Sequence, residues 1–233
     1  MVAARCKYLD FCTHCVAGFC RTTVENMNDM AKRIIDHYER HAREWDADRN
    51  LHVSPWNDKP WHDRFIASLL KAASVLDLGC GSGSPVAKYM AANGLGVTGL
   101  DSSPTLISLC RERLPDHEWL VGDMRSLRLS RQFDGVLAWD SFFHLTPDDQ
   151  RRMFDVFARH AAQSAVLMFN TGPAHGEGVG EYRSDPLYHA SLSLDEYRSL
   201  LSDIGFDVVA HAVEDWQTGG GRTVWLTRRG STV

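Results

Sequence analysis

The segment from residue 75 to residue 83 constrains the fold more than any other. It reads Val-Leu-Asp-Leu-Gly-Cys-Gly-Ser-Gly, which is an apolar strand that runs directly into a glycine-rich turn, and a helical pattern follows over residues 85–93. Glycine lets the backbone approach a ligand closely, and the first amide groups of a helix point towards such a ligand. The segment therefore predicts a strand, a turn and a helix with a ligand at the end of the strand.

The rest of the chain predicts a mostly parallel sheet. Short β-rich stretches alternate with helical ones, which is typical of a parallel sheet with helices on both faces. Besides the strand at 74–78, strands are predicted at residues 96–100, 118–121, 133–139, 165–170, 206–214 and 223–227. The last two are separated by three consecutive glycines, so we expect them to pair as an antiparallel hairpin.

The length of 233 residues suits one α/β domain with a helical addition. Apolar residues recur at steps of three and four over residues 28–48 and again over 61–72, which predicts two helices before the first strand. We therefore divide the chain into a helical cap at residues 27–72 and an α/β domain at 73–229.

Residues 1–26 form a leader that is rich in cysteine. The leader holds Cys6, Cys12, Cys15 and Cys20, and His14 lies between the middle pair. A zinc or redox site is one interpretation of this cluster. Because the spacing matches no familiar zinc knuckle, we favour a disordered or accessory leader and predict no metal site.

The charge and hydropathy of the chain exclude several partners. The net charge of −5 gives no electrostatic reason to expect nucleic acid, which usually requires a basic stripe. No run approaches the roughly 18 apolar residues of a membrane span, and the N-terminus lacks the pattern of a secretory signal. We predict a cytoplasmic protein that binds neither nucleic acid nor membrane, and the sequence leaves the oligomeric state open.

Carboxylates stand at the ends of three successive predicted strands. Asp77 precedes the first glycine of the turn by two residues, Asp101 ends the second strand, and Asp123 follows the third. A carboxylate beside the glycine turn suits a cationic amino-acid group better than a pyrophosphate. An acid at the end of the second strand is placed to accept hydrogen bonds from ribose hydroxyls. Together the three positions predict a nucleoside ligand along one edge of the sheet.

The motif Asp77-Leu-Gly-Cys-Gly-Ser-Gly83, with Asp101 and Gly122-Asp123, resembles the motif set of the class I S-adenosylmethionine-dependent methyltransferases. The resemblance spans roughly residues 38–228. It implies a Rossmann-like, seven-stranded sheet with an antiparallel C-terminal hairpin, and S-adenosyl-L-methionine as cofactor. It also implies contacts of the glycine turn with the methionine part, of Asp101 with the ribose and of Asp123 with the adenine amine. The predicted cofactor-binding residues are Tyr38, Asp77, Gly79, Cys80, Gly81, Gly83, Asp101, Ser102, Asp123, Met124 and Trp139.

In the family that this chain resembles, the methyl acceptor binds beside the segment after the fourth strand. This chain reads Asp140-Ser-Phe-Phe-His144 there. A neutral His144 is a candidate general base. Residues 172–191 form a long glycine-rich insertion, predicted as a mobile loop that encloses a small-molecule acceptor. The predicted substrate-binding residues are Asp140, Phe143, His144, Tyr182, Arg183, Tyr188 and His189.

Methyl transfer from a sulfonium is an in-line displacement that requires alignment and exclusion of water. Two alternatives remain at this stage. A noncatalytic protein that binds S-adenosylmethionine would keep the same cofactor residues. A nicotinamide-dependent oxidoreductase would require Gly-x-Gly-x-x-Gly, whereas here the third glycine, Gly83, comes one residue early. The identity of the acceptor atom is not encoded in these motifs.

Overall fold

The structure is a computed structural model that describes residues 27–51 and 56–230. Residues 27–32 are helical. The helices that follow are α1 (Ile34–Arg40), α2 (Ala42–Leu51), α3 (Lys59–Ala67), α4 (Val86–Ala92), α5 (Pro104–Arg113), α6 (Pro147–His160) and α7 (Leu194–Asp203). The strands are β1 (Ser74–Leu78), β2 (Gly96–Asp101), β3 (Glu118–Val121), β4 (Phe133–Ala138), β5 (Ala161–Thr171), β6 (Gly176–Tyr182), β7 (Asp185–Ser191), β8 (Phe206–Asp215) and β9 (Arg222–Arg229).

Seven of these strands form one sheet in the order β3-β2-β1-β4-β5-β9-β8. Strands β1 to β5 pair in parallel, whereas β9 runs antiparallel to both β5 and β8. The order reverses direction between β1 and β4, which creates the crevice where open α/β sheets bind ligands. The predicted Rossmann-like fold with a C-terminal antiparallel hairpin is confirmed.

Side-chain caps fix the start of the helices that flank the ligand edge. The hydroxyl of Ser103 accepts a hydrogen bond from the backbone of Leu106, and Thr146 and Ser193 cap α6 and α7 in the same way. Such caps satisfy amide groups that have no partner within the helix. The predicted starts of these three helices are therefore confirmed.

The core lies on both faces of the sheet. On one face Phe157 of α6 packs against Phe169 of β5 and against Phe142, which follows β4, and all three are fully buried. On the other face α3, α4 and α5 bury Trp61 and Phe65 against the sheet. A parallel sheet that is covered on both faces is expected to carry the apolar strands that the sequence showed.

The insertion at residues 172–191 differs from its prediction as a loop. It forms a separate two-stranded antiparallel sheet from β6 and β7, in register from Gly176 opposite Ser191 to Tyr182 opposite Asp185. The glycines of β6 alternate with Glu177, Val179 and Glu181, a period of two that fits a strand. Because glycine has a low strand propensity, this periodicity did not predict a strand from the sequence.

The helical cap also differs in detail. The predicted helix at 28–48 is three helical segments, because residues 33 and 41 interrupt it, and the second helix ends at Ala67 instead of residue 72. The cysteine-rich leader at residues 1–26 lies outside the described residues. None of the described helices has both the length and the apolar character that a membrane span needs.

Candidate active site

A cavity of about 290 Å³ lies between the helical cap and the carboxyl ends of β1 to β4. Nine of the residues predicted from the sequence line it, and they come from both the cofactor set and the acceptor set. They are Tyr38, Gly79, Gly81, Asp101, Ser102, Asp123, Met124, Asp140 and His144. The separate predictions therefore converge on one cavity.

The glycine turn after β1 forms the floor of this cavity. The backbone amides of Gly79 and Cys80 donate to the carbonyl of Leu100, at 2.7 and 3.1 Å, which ties the turn to β2. Gly79 has a φ of +76°, and a Cβ atom there would lie 2.3 Å from Cβ of Ser141. A Cβ on Gly81 would lie 2.9 Å from the ring of Trp45 in the helical cap. Only glycine fits between these neighbours.

Asp101 connects the glycine turn to the start of α5. Its Oδ2 accepts from the amide of Gly81 and its Oδ1 accepts from the amide of Ser103, both at 2.9 Å. Burial raises the pKa of Asp101 above its usual value, and the amides of Ser103 and Gly81 oppose that shift. Each oxygen keeps a further lone pair for a ligand, because a carboxylate oxygen can accept two hydrogen bonds.

Asp77 lies below the turn and does not line the cavity surface. Its side chain is buried, and Oδ2 has no hydrogen-bond partner among the residues that the structure describes. Burial, and then the charge of Asp101, raise the pKa of Asp77 to about 7. An unpaired buried carboxylate oxygen is costly, so this group favours a cationic partner at the floor of the cavity.

Asp123 stands at the cavity rim after β3. Its carboxylate accepts from the backbone amide of Arg125 at 2.9 Å and also binds the guanidinium of the same residue. These bonds lower the pKa of Asp123 even though burial alone would raise it. The side chain is 31% exposed and lines the cavity beside Met124.

Asp140 is the most strongly paired acid of the cavity. It has a φ of +52° and accepts from Nε and a terminal nitrogen of Arg222, each at 2.6 Å, and from Arg49 at 3.0 Å. Asn170 donates to it as well, at 2.9 Å. Although burial alone would raise the pKa of Asp140, the charges of Arg222 and Arg49 hold it far below its usual value. The residue is an anion with its charge already neutralised.

His144 lies opposite the glycine turn and is almost fully buried. Its Nδ1 donates to the carbonyl of Tyr188 at 2.8 Å, because a carbonyl can only accept. Nε2 therefore carries the lone pair and accepts from the hydroxyl of Tyr38, also at 2.8 Å. Burial, and then the neighbouring His189, lower the pKa of His144 to about 3. The ring is neutral at physiological pH.

Comparison with known proteins identifies the fold and the family. Residues 75–164 match the model of the family described as Methyltransferase domain. The trans-aconitate 2-methyltransferase of Shigella flexneri is 31% identical over 212 residues, which cover 78% of this chain and 81% of that enzyme. The chain belongs to the class I S-adenosylmethionine-dependent methyltransferases. It is thus a member of a family of enzymes whose methyl donor is S-adenosylmethionine.

Other relatives match this chain over less of their length. A demethylmenaquinone methyltransferase of Thermotoga maritima is 33% identical, and the match covers 52% of this chain and 54% of that enzyme. An N,N-dimethyltransferase of a dTDP-amino sugar from Saccharopolyspora spinosa is 32% identical, over 43% of this chain and 41% of that enzyme. The chain therefore spans about half the length of these two relatives.

Solved structures of low identity share the fold. The 1,6-didemethyltoxoflavin-N1-methyltransferase of Burkholderia thailandensis, with bound S-adenosylhomocysteine, superposes with a TM-score of 0.68 at 17% identity. The superposition covers 88% of this chain and 91% of that one. An amino pentose methyltransferase from Micromonospora, with S-adenosylmethionine bound, gives a TM-score of 0.60 at 23% identity, over 75% of this chain and 92% of that one.

The residues present fit S-adenosylmethionine. The unpartnered Oδ2 of Asp77 offers a counter-charge for an ammonium group, and the turn at Gly79 and Gly81 leaves no room for any larger residue. Asp101 and Asp123 lie further along the same edge of the sheet, in the order of the ribose and the adenine of a nucleoside. The individual contacts of these residues with the cofactor stay predictions.

Several predicted site residues lie away from the cavity surface. Trp139 is buried and donates to Asp58 at 2.7 Å. Gly83 lies against α5, where a Cβ atom would contact Cys110 at 3.3 Å. The thiol of Cys80 points towards β2, within reach of a Cβ built on Gly99. Trp139, Gly83 and Cys80 therefore do not line the cavity, and the cofactor contact predicted for each stays a prediction.

The predicted acceptor residues of the insertion contact the helical cap and His144. Phe143 and His189 stack around the ring of His144, with centroids 4.6 and 5.0 Å away. Tyr188 is fully buried, and its hydroxyl donates to Glu177. Tyr182 and Arg183 both bind Asp48 of α2, at 2.8 and 2.9 Å. Apart from His144, none of these side chains lines the cavity, and their contact with an acceptor stays a prediction.

The sequence interpretation missed the two arginines that bind Asp140. Arg49 follows Trp45 by four residues and so shares its helix face, a spacing that pointed towards the cavity. Arg222 is 82 residues from Asp140, and no local pattern connects them. Both arginines line a second cavity of about 320 Å³, which shares Trp45 with the first.

Proposed function

We propose that this chain transfers a methyl group from S-adenosylmethionine to a small-molecule acceptor. The reaction would take place in the cavity that Asp101, Asp123 and His144 line, which we call the main cavity. One observation carries the proposal: the strand-end acids Asp101 and Asp123 share a single cavity with Tyr38, Asp140 and His144. The first two suit the nucleoside of the donor. The other three lie past the glycine turn, where the reacting group of the donor would point.

The residues of this chain would act mainly by alignment. Gly79 and Gly81 allow close approach of the methionine part, and the Asp77 carboxylate would balance its ammonium group. Trp45 covers the glycine turn from the helical cap, which would keep water away from the reacting atoms. When bound, S-adenosylmethionine supplies an electrophilic methyl group on a sulfonium. Alignment and exclusion of water are the main requirements of such a displacement.

The electrostatics of His144 narrow the acceptor class. A ring whose pKa is near 3 is a weak base, so it suits an acceptor that loses a readily ionised proton or none at all. A carboxylate meets this condition and an ammonium group does not. We infer an acidic oxygen acceptor, and trans-aconitate is the first candidate because it carries carboxylates and its methyltransferases match 78% of this chain.

The base role of His144 stays a prediction, with one change. Because the hydroxyl of Tyr38 occupies Nε2, an acceptor proton would have to reach the ring through that hydroxyl or displace it. We infer that Tyr38, which the resemblance assigned to the cofactor, also meets the acceptor, and that His144 holds it in place. Exclusion of nucleic acid and a cytoplasmic location also stay proposals, supported by the net charge of −5 and by the composition of the chain.

The proposal is tested in two steps on the full chain. Calorimetry with S-adenosylmethionine and with S-adenosylhomocysteine should show one binding site. Incubation with methyl-labelled donor and a panel that contains trans-aconitate, other carboxylates, phenols and amines should then label an acidic oxygen. Absence of binding by both ligands at high micromolar concentration would refute the donor assignment. The panel is followed by a metabolite extract. If the chain binds the donor but transfers no label to the panel or to the extract, a noncatalytic protein is favoured.

Substitution of His144 and Tyr38 separates the two roles. Tyr38→Phe frees Nε2, and His144→Ala removes the ring that positions Tyr38. If the pair positions the acceptor, both variants should lower kcat by about 100-fold, the cost of a misplaced reactant, while the affinity of His144→Ala for S-adenosylhomocysteine changes less than threefold. Full activity of both variants would remove the pair from the mechanism. Full activity of Tyr38→Phe alone would show that His144, and not Tyr38, contacts the acceptor.

A further inference from the structure

A cluster of metal-ligating side chains lies outside the main cavity, where the helical cap meets the β6–β7 hairpin. His37 belongs to α1, His41 follows that helix, and Asp185 begins β7. One ligand atom of each lies within 4.8 Å of the others. Nε2 of His41 is 2.8 Å from Oδ2 of Asp185, and Nδ1 of His37 is 3.9 Å from the same oxygen.

His37 is the unusual member of the cluster. Its ring is 2% exposed, and neither ring nitrogen has a hydrogen-bond partner within the described part of the chain. Leaving such a buried polar group unsatisfied destabilises the folded chain. The ring lies 5.0 Å from that of His41 and 5.9 Å from that of Tyr182, measured between centroids. A bound cation between these side chains would satisfy the free nitrogen.

The donor set selects the kind of cation. Two imidazoles one helical turn apart, with a carboxylate from another element, match zinc sites that keep one position open for water. Calcium and magnesium prefer oxygen ligands and are poor matches for two imidazoles. Zinc–nitrogen and zinc–oxygen bonds are about 2.0–2.2 Å long, so His37 would move closer to Asp185 on binding.

Arg40 is the competing charge. Its guanidinium binds the same oxygen of Asp185 at 2.9 Å, but this side chain is 59% exposed and can turn into solvent. Exposed ion pairs of this kind contribute little to stability. Displacing Arg40 therefore costs far less than a zinc ion gains from three protein ligands.

We propose that His37, His41 and Asp185 bind a zinc ion that fastens the helical cap to the β6–β7 hairpin. The adjacent residue Tyr38 lines the main cavity, and the carbonyl of Tyr188 holds His144 from the hairpin side. Zinc would thus close the cavity around the Tyr38–His144 pair without touching the cofactor. With water as its fourth ligand, the ion would act only by joining the two elements. The proposal departs from the sequence interpretation, which predicted no metal.

The test uses the full chain in which the four leader cysteines, Cys6, Cys12, Cys15 and Cys20, are replaced by serine. This removes the leader thiols, which could bind zinc on their own. Calorimetry with zinc chloride should give one equivalent of binding in the low micromolar range or tighter, and zinc should raise the Tm. His37→Ala and Asp185→Asn should each weaken binding at least tenfold and abolish the Tm shift. His175→Ala, an exposed histidine near the start of the same hairpin, is the matched control and should leave both unchanged.

Two further measurements keep the test decisive if a variant unfolds. Circular dichroism and binding of S-adenosylhomocysteine establish that each variant is folded. Substitution with cobalt should give the visible absorption bands of a tetrahedral or five-coordinate nitrogen–oxygen site, without a thiolate charge-transfer band. Absence of zinc binding at about 100 μM zinc chloride overturns the proposal. Binding that is equally tight in folded His37→Ala overturns it as well.

Discussion

The two sides of the main cavity are built in different ways. On the cofactor side, Asp101 is held by the amides of Gly81 and Ser103, which lie 20 and 2 residues away. On the acceptor side, Asp140 is held by Arg222, 82 residues away, and His144 by Tyr38, 106 residues away. Backbone amides of adjacent strand ends fix the first side, whereas side chains of the helical cap and of β9 fix the second.

This difference assigns separate tasks to the two sides. A turn held by backbone hydrogen bonds stays formed whether or not the helical cap is closed, so the cofactor side is preorganised. The acceptor side is complete only when α1, α2 and the β6–β7 hairpin meet. Substitutions on the cofactor side should therefore change donor affinity, and those on the acceptor side should change stability and turnover.

The largest expected effect is that of Gly79→Ala. The new Cβ would lie 2.3 Å from Cβ of Ser141, at a φ of +76° that L-residues rarely adopt. The turn must shift, and affinity for S-adenosylhomocysteine should fall at least 100-fold by calorimetry. Gly94→Ala is the matched control, since its φ is +82° and nothing lies within 4 Å of the added Cβ. It should cost about 1 kcal/mol of stability and leave affinity unchanged. Equal loss of affinity in both variants would contradict the role of the turn.

The cofactor side was predictable because its signals are local. The start and the end of β1 at Ser74 and Leu78 are those predicted, and α5 begins at Pro104 after Ser103, as its N-cap pattern indicated. In a parallel sheet the strands all end at the same edge, so a residue near one strand end lies close to the next. Glycine spacing and strand-end acids therefore define the cofactor side without knowledge of the distant chain.

The second effect in size is that of Asp140→Asn on stability. Removing this carboxylate leaves the cations of Arg222 and Arg49 without their common partner in a largely buried place. Breaking such a buried pair typically costs about 3 kcal/mol. Urea unfolding should show that loss, whereas Asp195→Asn, whose carboxylate is 98% exposed and paired with Arg198, should change stability by less than about 0.5 kcal/mol. Similar losses for the two variants would show that the Asp140 network is not a support of the fold.

The pH dependence of stability also tests how much Asp140 contributes to the free energy of unfolding. The folded-state pKa of Asp140 lies below the unfolded value of about 3.9. Its contribution is therefore complete above that value and is lost as pH falls towards the folded-state pKa. Between pH 7 and pH 5, the difference in free energy of unfolding between the parent chain and Asp140→Asn should stay constant, and below pH 4 it should shrink.

The acceptor side escaped prediction for a physical reason. The pair of Asp140 with Arg222 and the bond of Tyr38 to His144 depend on the closed tertiary structure, and no periodicity records them. The hairpin at residues 172–191 escaped for a different reason, because its alternation is carried by glycine, which has low strand propensity. Tyr38 and Asp140 were nonetheless proposed from the resemblance, and both line the cavity.

The smallest expected effect concerns Asp77, and it tests how the floor of the cavity recognises the donor. With a pKa of about 7 in the free protein, Asp77 gains a proton as pH falls below neutrality. Binding of an ammonium group requires the ionised form, so affinity for S-adenosylhomocysteine should fall towards lower pH, by up to tenfold per unit. The α-amino group of the ligand, with a pKa of about 8, stays charged in this range. Calorimetry at pH 7.0, 6.25 and 5.5 measures the slope, and Asp77→Asn should bind more weakly at pH 7 with almost no slope. If the slope persists in Asp77→Asn, the titrating group is Asp101, the other acid on the cofactor side with a raised pKa.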